Sequence, residues 1–316
     1  MIVLGIDVGG TSIKGAAIRD SGEVLDRFST PMERLATPEQ TFGNLANLVN
    51  DFVKEHHYDE EISGIGMGIP GLINKMTGEV ASSPNMPKWL NFNIVKFMEE
   101  KTNLPVRIVN DASAAALGEA TFGAGKEFEY LIMITLGTGV GGGIVFEKKL
   151  IDGNEGKGAQ LGHNIMEVGG RPCGCGRQGC LEAYASATAL IKETQKAMDA
   201  HPESLLHEVV KEIGKVDARA AFEAARRGDK EGKRLVDEYV MYLSEGLLDY
   251  CNIFRPEVFV LSGGVANEGE YLISRLDSYI SSRGYGMKNS PKVVIKQAVL
   301  GYDSGKIGAA CLFFNE

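Results

Sequence analysis

Basic charge is scarce in this 316-residue chain. Thirty-three lysines and arginines face 42 acidic residues, which leaves a net charge of −9. Nucleic-acid binding ordinarily needs a basic patch or stripe, and none is visible, so no nucleic-acid partner is expected. Long apolar runs are missing too. No uncharged stretch approaches the ~18 residues that span a bilayer, so no membrane partner is expected. The opening segment, Met1-Ile2-Val3-Leu4-Gly5-Ile6-Asp7, is apolar only briefly and has no basic leader, so it does not read as a secretory signal. Cysteine is sparse. Three of the five, Cys173, Cys175 and Cys180, fall within eight residues, which argues against the disulfide framework of a small secreted domain. Cys251 and Cys311 sit alone in apolar or aromatic surroundings and read as packing residues. What remains is a globular chain expected in the cytoplasm, long enough for two domains with a good core each.

Glycine is abundant by contrast. Forty residues are glycine, nearly twice the usual share of about 7%. They cluster, which marks turns where backbone must lie close to a ligand. Around them the apolar pattern predicts an α/β chain. Strands are expected at 2–6, 13–18 and 24–28 as an antiparallel meander. A helix over 38–56 follows, with Thr37 before Pro38 as its cap. Next come a buried strand over 62–69, a short helix over 93–102, a strand over 106–109 and an alanine-rich helix over 112–121. The plan then restarts with strands at 130–136 and 143–146 and long helices over 181–200 and 217–253. Strands at 257–262 and 293–299 and helices from about 268 and over 305–313 complete it. Strand, glycine turn, strand occurs twice, near 4–17 and near 132–145, so two domains of similar plan are expected.

Three glycine turns are candidates for holding a polyphosphate, which needs close backbone N–H donors and no side chain in the way. The first is Asp7-Val8-Gly9-Gly10-Thr11-Ser12-Ile13-Lys14. Thr11 adds a hydroxyl, and Asp7 at a strand end can hold Mg2+ through water. The spacing is also that of an ordinary two-glycine hairpin. The second, Leu136-Gly137-Thr138-Gly139-Val140-Gly141-Gly142-Gly143, has five glycines in seven residues, denser than a hairpin needs. It is no Walker A loop, since Gly-Lys-Ser/Thr is missing. It is no Rossmann turn, since the chain returns as a strand. The third, Leu261-Ser262-Gly263-Gly264-Val265-Ala266, lets a planar base or ribose approach the backbone, or is simply a tight connection.

Asn110-Asp111 ends a strand ahead of the alanine-rich helix. A carboxylate there can orient a hydroxyl and take its proton. It can also merely cap the helix starting at Ala112. Cys173-x-Cys175-x4-Cys180, with His163 ten residues upstream, offers the Cys3His donors of a structural Zn2+ site. Gly174, Gly176 and Gly179 supply the turns this spacing needs.

In order and distance, these segments resemble the ROK family of sugar kinases and repressors over nearly the whole chain. Residues 7–14 and 136–143 look like its phosphate motifs, and 256–264 (PEVFVLSGG) like its adenosine motif. The most specific match is 158–182, GAQLGHNIMEVGGRPCGCGRQGCLE, similar to its histidine and zinc segment. The resemblance implies an actin-like, ribonuclease-H-like ATPase fold of two domains with an interdomain cleft. One domain would be 1–115 plus 300–316, the other 116–299 with the zinc loop. It implies a homodimer or a dimer of dimers, and an ATP- and Mg2+-dependent hexokinase, glucose being the expected acceptor. MgATP would lie between the first two glycine loops, on Asp7, Gly9, Gly10, Thr11, Lys14, Gly137, Thr138 and Gly139, with Gly263 and Gly264 at the adenosine. Asp111 would be the catalytic base. Asn85, Asn110, Gln160, His163 and Glu182 would join it in holding the sugar, whose attacking oxygen for glucose is the 6-hydroxyl. Zn2+ on His163, Cys173, Cys175 and Cys180 would aim the other imidazole nitrogen at the sugar. One position departs from the pattern: the family usually shows Glu-x-Gly-His, whereas this chain reads Gln160-Leu161-Gly162-His163. Fructose, mannose, N-acetylmannosamine or allose as acceptor, and polyphosphate as donor, therefore stay open. A sugar-sensing repressor of the same family would carry an N-terminal DNA-binding extension, and Asp7 stands too near the start to leave room for one.

Overall fold

The computed structural model describes residues 1–33, 36–58, 61–83, 86–286 and 291–314. Its strands are β1 (Ile2–Val8), β2 (Ser12–Arg19), β3 (Val24–Pro31), β4 (Ile62–Ile69), β5 (Leu72–Asn74), β6 (Glu79–Ser82), β7 (Val106–Asn110), β8 (Tyr130–Leu136), β9 (Val140–Phe146), β10 (Lys149–Leu150), β11 (Val258–Ser262) and β12 (Val294–Gln297). Its helices are α1 (Pro38–Glu55), α2 (Ile94–Thr102), α3 (Asp111–Thr121), α4 (Glu182–Ala185), α5 (Ala187–Ala200), α6 (Leu206–Ile213), α7 (Ala218–Arg226), α8 (Lys230–Phe254), α9 (Glu270–Arg283) and α10 (Ser304–Phe314). The chain forms two compact units. Unit 1 is Met1–Glu129, Gly143–Ala159 and Val299–Glu316; unit 2 is Tyr130–Gly142 and Gln160–Ala298. The domain boundary drawn at 115/116 falls inside α3.

Unit 1 is built on a five-stranded sheet in the order β3-β2-β1-β4-β7. The first three strands form the antiparallel meander, and β4 and β7 run parallel to β1. Alternate side chains of a strand point to opposite faces. Leu4, Ile6 and Val8 enter a core with Phe42, Leu45 and Val49 of α1 and Ile94 and Met98 of α2. Each such fully buried side chain contributes about 1.5–3 kcal/mol. Thr37 caps α1 in a reciprocal capping box with Gln40, worth about 1 kcal/mol.

The other face of the sheet is stripped of side chains where α10 crosses it. A Cβ built on Gly5 would lie 2.0 Å from the carbonyl oxygen of Lys306, and one on Gly66 1.9 Å from that of Ala309. Gly5 and Gly66 are register partners on β1 and β4, so helix backbone lies directly on strand backbone. Gly308 repeats the device against α3, its absent Cβ only 1.6 Å from the Ala114 carbonyl oxygen.

In unit 2, β8, β11 and β12 are parallel neighbours. Helices pack around α8, which buries Leu235, Val236, Tyr239, Leu243 and Leu247. Two expected long helices are each broken. Ser186, in extended backbone, separates α4 from α5 and accepts the Ala189 N–H. Gly228, at φ +92°, and Asp229, the cap of α8, separate α7 from α8. Apolar periodicity runs through both breaks, and that continuity produced the single-helix expectation. Helix α6 lay between the expected elements and was not foreseen.

Packing at glycine gives a paired test. Gly308→Ala should destabilise the protein by ~1–3 kcal/mol through overpacking. Gly43→Ala in α1, where nothing lies within 4 Å of the new methyl, should stabilise it by about 0.5–1 kcal/mol. Denaturant midpoints of the two variants should therefore move in opposite directions.

Candidate active site

Asp7 ends the buried run of β1, with Lys14 of β2 and Gly68 of β4 as its register partners. Gly68 has no side chain, and Asp111 lies beside it: a Cβ there would sit 3.4 Å from the Asp111 Cα. The two aspartates thus flank a bare strand position. Asp111 is the first residue of α3. Capping falls to Asn110, whose side-chain oxygen accepts from Ala112 N (3.0 Å) and Ser113 N (3.2 Å) while its amide donates to Gly71 O at 2.9 Å. The Asp111 carboxylate accepts the Ala112 N–H at 2.9 Å.

Burial dominates the electrostatics of both acids. It raises Asp111 to about 6, with the Asp7 charge adding to the rise and backbone N–H donors and Asn110 opposing it. It also raises Asp7, against the pull of Lys306 and Lys14. Lys306 was not anticipated. It is a buried lysine of α10 whose Nζ stands 2.5 Å from Asp303 Oδ1, and Asp303 also pairs with Arg27 at 2.8 Å. The available signal was a lone cation in the small-residue run SGKIGAA. The turn between β1 and β2 carries Gly9, Gly10 and Thr11. Gly9 donates to Ser12 O at 3.0 Å, and Thr11 O accepts from Met32 N at 3.0 Å. Neither glycine has a positive φ.

In unit 2, the second and third glycine turns lie at the ends of the parallel neighbours β8 and β11. Gly137 N–H donates to Gly139 O at 3.0 Å, Ala187 N–H to Gly137 O at 2.8 Å, and the Thr188 hydroxyl to Thr138 O at 2.7 Å. The start of α5 therefore holds this turn. Gly263 has φ +89°, and its absent Cβ would meet Leu136 O at 2.5 Å, so the two turns abut. At Gly137 and Gly264 a Cβ would meet nothing within 4 Å.

Glu182, at the start of α4, reaches back to the second turn. Its Oε2 accepts the Val140 N–H at 3.1 Å, and a Cβ on Gly139 would lie 2.3 Å from that oxygen. Its Oε1 is 3.4 Å from Cys173 Sγ. Cys173 Sγ is 3.6 Å from His163 Nδ1, and Cys175 Sγ is 3.7 Å from Cys180 Sγ. Donor atoms of His163, Cys173, Cys175 and Cys180 all lie within 4.8 Å of one another. Tetrahedral Zn2+ with bonds near 2.3 Å holds its sulfurs about 3.8 Å apart, so the four residues fit such an ion. Gly176 and Gly179 take positive φ in this loop, whereas Gly174 does not. Gln160 is exposed, and its carbonyl accepts the His163 N–H at 3.0 Å. Asn85 lies outside the described residues.

Thr138, Cys173, Glu182, Ser186 and Lys192 border a cavity of about 410 Å³ in unit 2. A cavity of about 380 Å³ in unit 1, bordered by Lys75, Asn93, Lys96, Glu99 and Arg107, holds none of the expected site residues.

The ROK family model matches residues 3–316. The glucokinase of Halalkalibacterium halodurans is 35% identical over 315 residues, 98% of this chain and 94% of that one. The ROK hexokinase of Thermus thermophilus superposes with TM-score 0.81 at 32% identity, covering 98% of this chain and 97% of that one. A ROK family glucokinase from Streptomyces griseus, solved with glucose and AMPPNP, superposes with TM-score 0.80 at 31% identity over 99% of both chains. With the glycine turns, the paired aspartates and the Cys3His cluster in place, the chain belongs to the ROK family and has its actin-like ATPase fold.

Proposed function

We propose that the protein is an ATP-dependent hexokinase that converts glucose to glucose 6-phosphate. The carrying observation is Asp111, a half-buried carboxylate at a helix start, one bare strand position from Asp7 and its glycine turn. ATP and glucose are supported by the glucokinase relatives and by the neighbour that holds glucose and AMPPNP.

In this reading Asp111 accepts the proton of the sugar 6-hydroxyl as that oxygen bonds to the γ-phosphorus. The bond from phosphorus to the β,γ-bridging oxygen breaks, and ADP leaves with the electron pair. A carboxyl titrating at about 6 is ionised at neutral pH and still basic enough to take the proton. Asn110 fixes the first turn of α3 and so the carboxylate it carries. Gly9, Gly10, Thr11, Lys14, Gly137, Thr138 and Gly139 are the proposed phosphate contacts, with Gly263 and Gly264 at the adenosine. Asp7 would hold Mg2+ through water, and the ion supplies charge neutralisation on the β- and γ-phosphates when bound. His163, Cys173, Cys175 and Cys180 would hold Zn2+, which supplies a structural cross-link that fixes the imidazole. His163 and Glu182, with Gln160, Asn85 and Asn110, are the proposed hydroxyl contacts. Glutamine offers two donors and one acceptor where a glutamate offers only acceptors, so Gln160 is the position through which another hexose is best tested. A homodimer or a dimer of dimers in the cytoplasm completes the reading.

Coupled ADP-release assays over glucose, fructose, mannose, N-acetylmannosamine and allose should show glucose with the highest kcat/KM. An inert glucose beside an active alternative would overturn the acceptor assignment. Metal analysis should return about one zinc per chain, and Cys175→Ser should lower that content.

The pH dependence follows from Asp111. The rate needs the ionised form, so kcat/KM should fall on the acid side with a midpoint near 6. Asp111→Ala should cost about 10²–10⁴ in kcat while glucose binding by calorimetry stays within about tenfold. Stability moves the other way. The folded chain binds this proton more tightly than the unfolded chain, so stability is lost as pH rises from the ordinary aspartate range through about 6. Asp111→Asn should therefore be more stable than the parent at pH 8, by on the order of 2–3 kcal/mol. That margin should narrow toward pH 5.

A further inference from the structure

We infer that Lys306 is a resident cation of the nucleotide site, set to offset the charge of Asp7 so that a polyphosphate can approach a half-buried carboxylate. The inference rests on the nucleotide reading above and adds a residue that reading does not use.

The placement is built from several contacts. Lys306 lies in α10, and its own carbonyl oxygen presses on Gly5 of β1. Two residues on along the same face of β1 is Asp7. The residue before Lys306, Gly305, backs directly onto that carboxyl: a Cβ there would sit 3.1 Å from Asp7 Cγ. The Lys306 side chain is 5% exposed, and its Nζ is 2.5 Å from Asp303 Oδ1. Asp303 also receives Arg27. Lys14, the cross-strand partner of Asp7, stands 5.2 Å from the ring of Tyr302. The charged groups around Asp7 are therefore Lys306, Lys14 and Asp111, with Asp303 and Arg27 behind Lys306.

A lysine is rarely buried unless something compensates it. Asp303 alone compensates Lys306 as a pair, but Asp303 is already shared with Arg27. Arg27, Asp303, Lys306 and Asp7 thus alternate in sign, and the alternation ends at the glycine turn. Such an ending lowers the repulsion between Asp7 and an incoming phosphate. It belongs to the protein and so is present before any divalent ion arrives.

The test is nucleotide affinity by calorimetry, with magnesium present and with magnesium omitted. Lys306→Met and Lys306→Gln should each weaken ADP binding about tenfold without magnesium, the factor a unit charge some 10 Å away supplies at an effective dielectric near 20. With magnesium the loss should be under about threefold, because the ion takes over the neutralisation. Gln keeps a hydrogen-bond donor for Asp303, so an equal loss in both variants assigns the effect to charge. Asp303→Asn, which keeps the lysine charge, should leave magnesium-free affinity intact. Unchanged magnesium-free affinity in both Lys306 variants, with a lowered melting temperature, would reduce Lys306 to a pin for the 303 turn while the nucleotide reading stood. A parent protein that binds no ADP under either condition would remove both.

Discussion

Two carboxylates are partly withdrawn from water on either side of one strand position, and much of unit 1 can be read as the accommodation of that cost. Desolvation penalises the ionised form of each, and the Asp7 charge further raises the proton affinity of Asp111. The fold answers with different means at the two places. Asp111 receives backbone N–H donors at the start of α3 and the support of Asn110. Asp7 receives two lysines, one from the neighbouring strand and one from α10. The second works only if α10 lies against bare sheet, where Gly5 and Gly66 have no room for a methyl group. Local packing and site electrostatics are thus one constraint. A methyl group at 305 would crowd the Asp7 carboxyl, 3.1 Å from its Cγ.

Unit 2 solves a related problem with a single carboxylate. Glu182 spends one oxygen on the Val140 N–H and places the other beside Cys173. It ties the second glycine turn to the Cys3His cluster, so the two do not move independently. The break at Ser186 matters for the same turn. Were α4 and α5 one continuous helix, the Ala187 N–H would be satisfied four residues back. Because the helix restarts, that N–H donates to Gly137 O, and Thr188 can reach Thr138 O. What looks like an interruption of helical periodicity is the anchor of a candidate phosphate loop.

The readable parts of the sequence were those where local chemistry decides locally. Thr37 before Pro38 marked a cap, alternating apolar residues marked β1 and β4, and the spacing of Cys173, Cys175 and Cys180 marked a donor set that the fold gathers with His163. The family resemblance named Asp111 as the base where residue types alone favoured a helix cap. The structure separates the two roles, giving the cap to Asn110. The parts that were not legible depend on distant partners. Lys306 in a small-residue helix shows its meaning only when Asp7, about three hundred residues away in sequence, is placed beside it. Gly139 looks like one more loop glycine until the Glu182 carboxylate is found where its Cβ would be.

Glycine is therefore an ambiguous signal, and the structure sorts it by cause. Gly5, Gly66 and Gly308 are glycine because another backbone occupies the space, and Gly176, Gly179 and Gly263 because φ is positive. Neither cause applies at Gly137 or Gly264, where a side chain would meet nothing within 4 Å and φ is ordinary. Open space alone decides nothing, since Gly43 on α1 has it too. The difference is position. Gly137 and Gly264 follow the carboxyl ends of β8 and β11, adjacent parallel strands, and the carboxyl ends of parallel strands are where α/β sheets receive ligands. A bare backbone at that place, with no internal reason to be bare, is what a nucleotide lying across both turns would require.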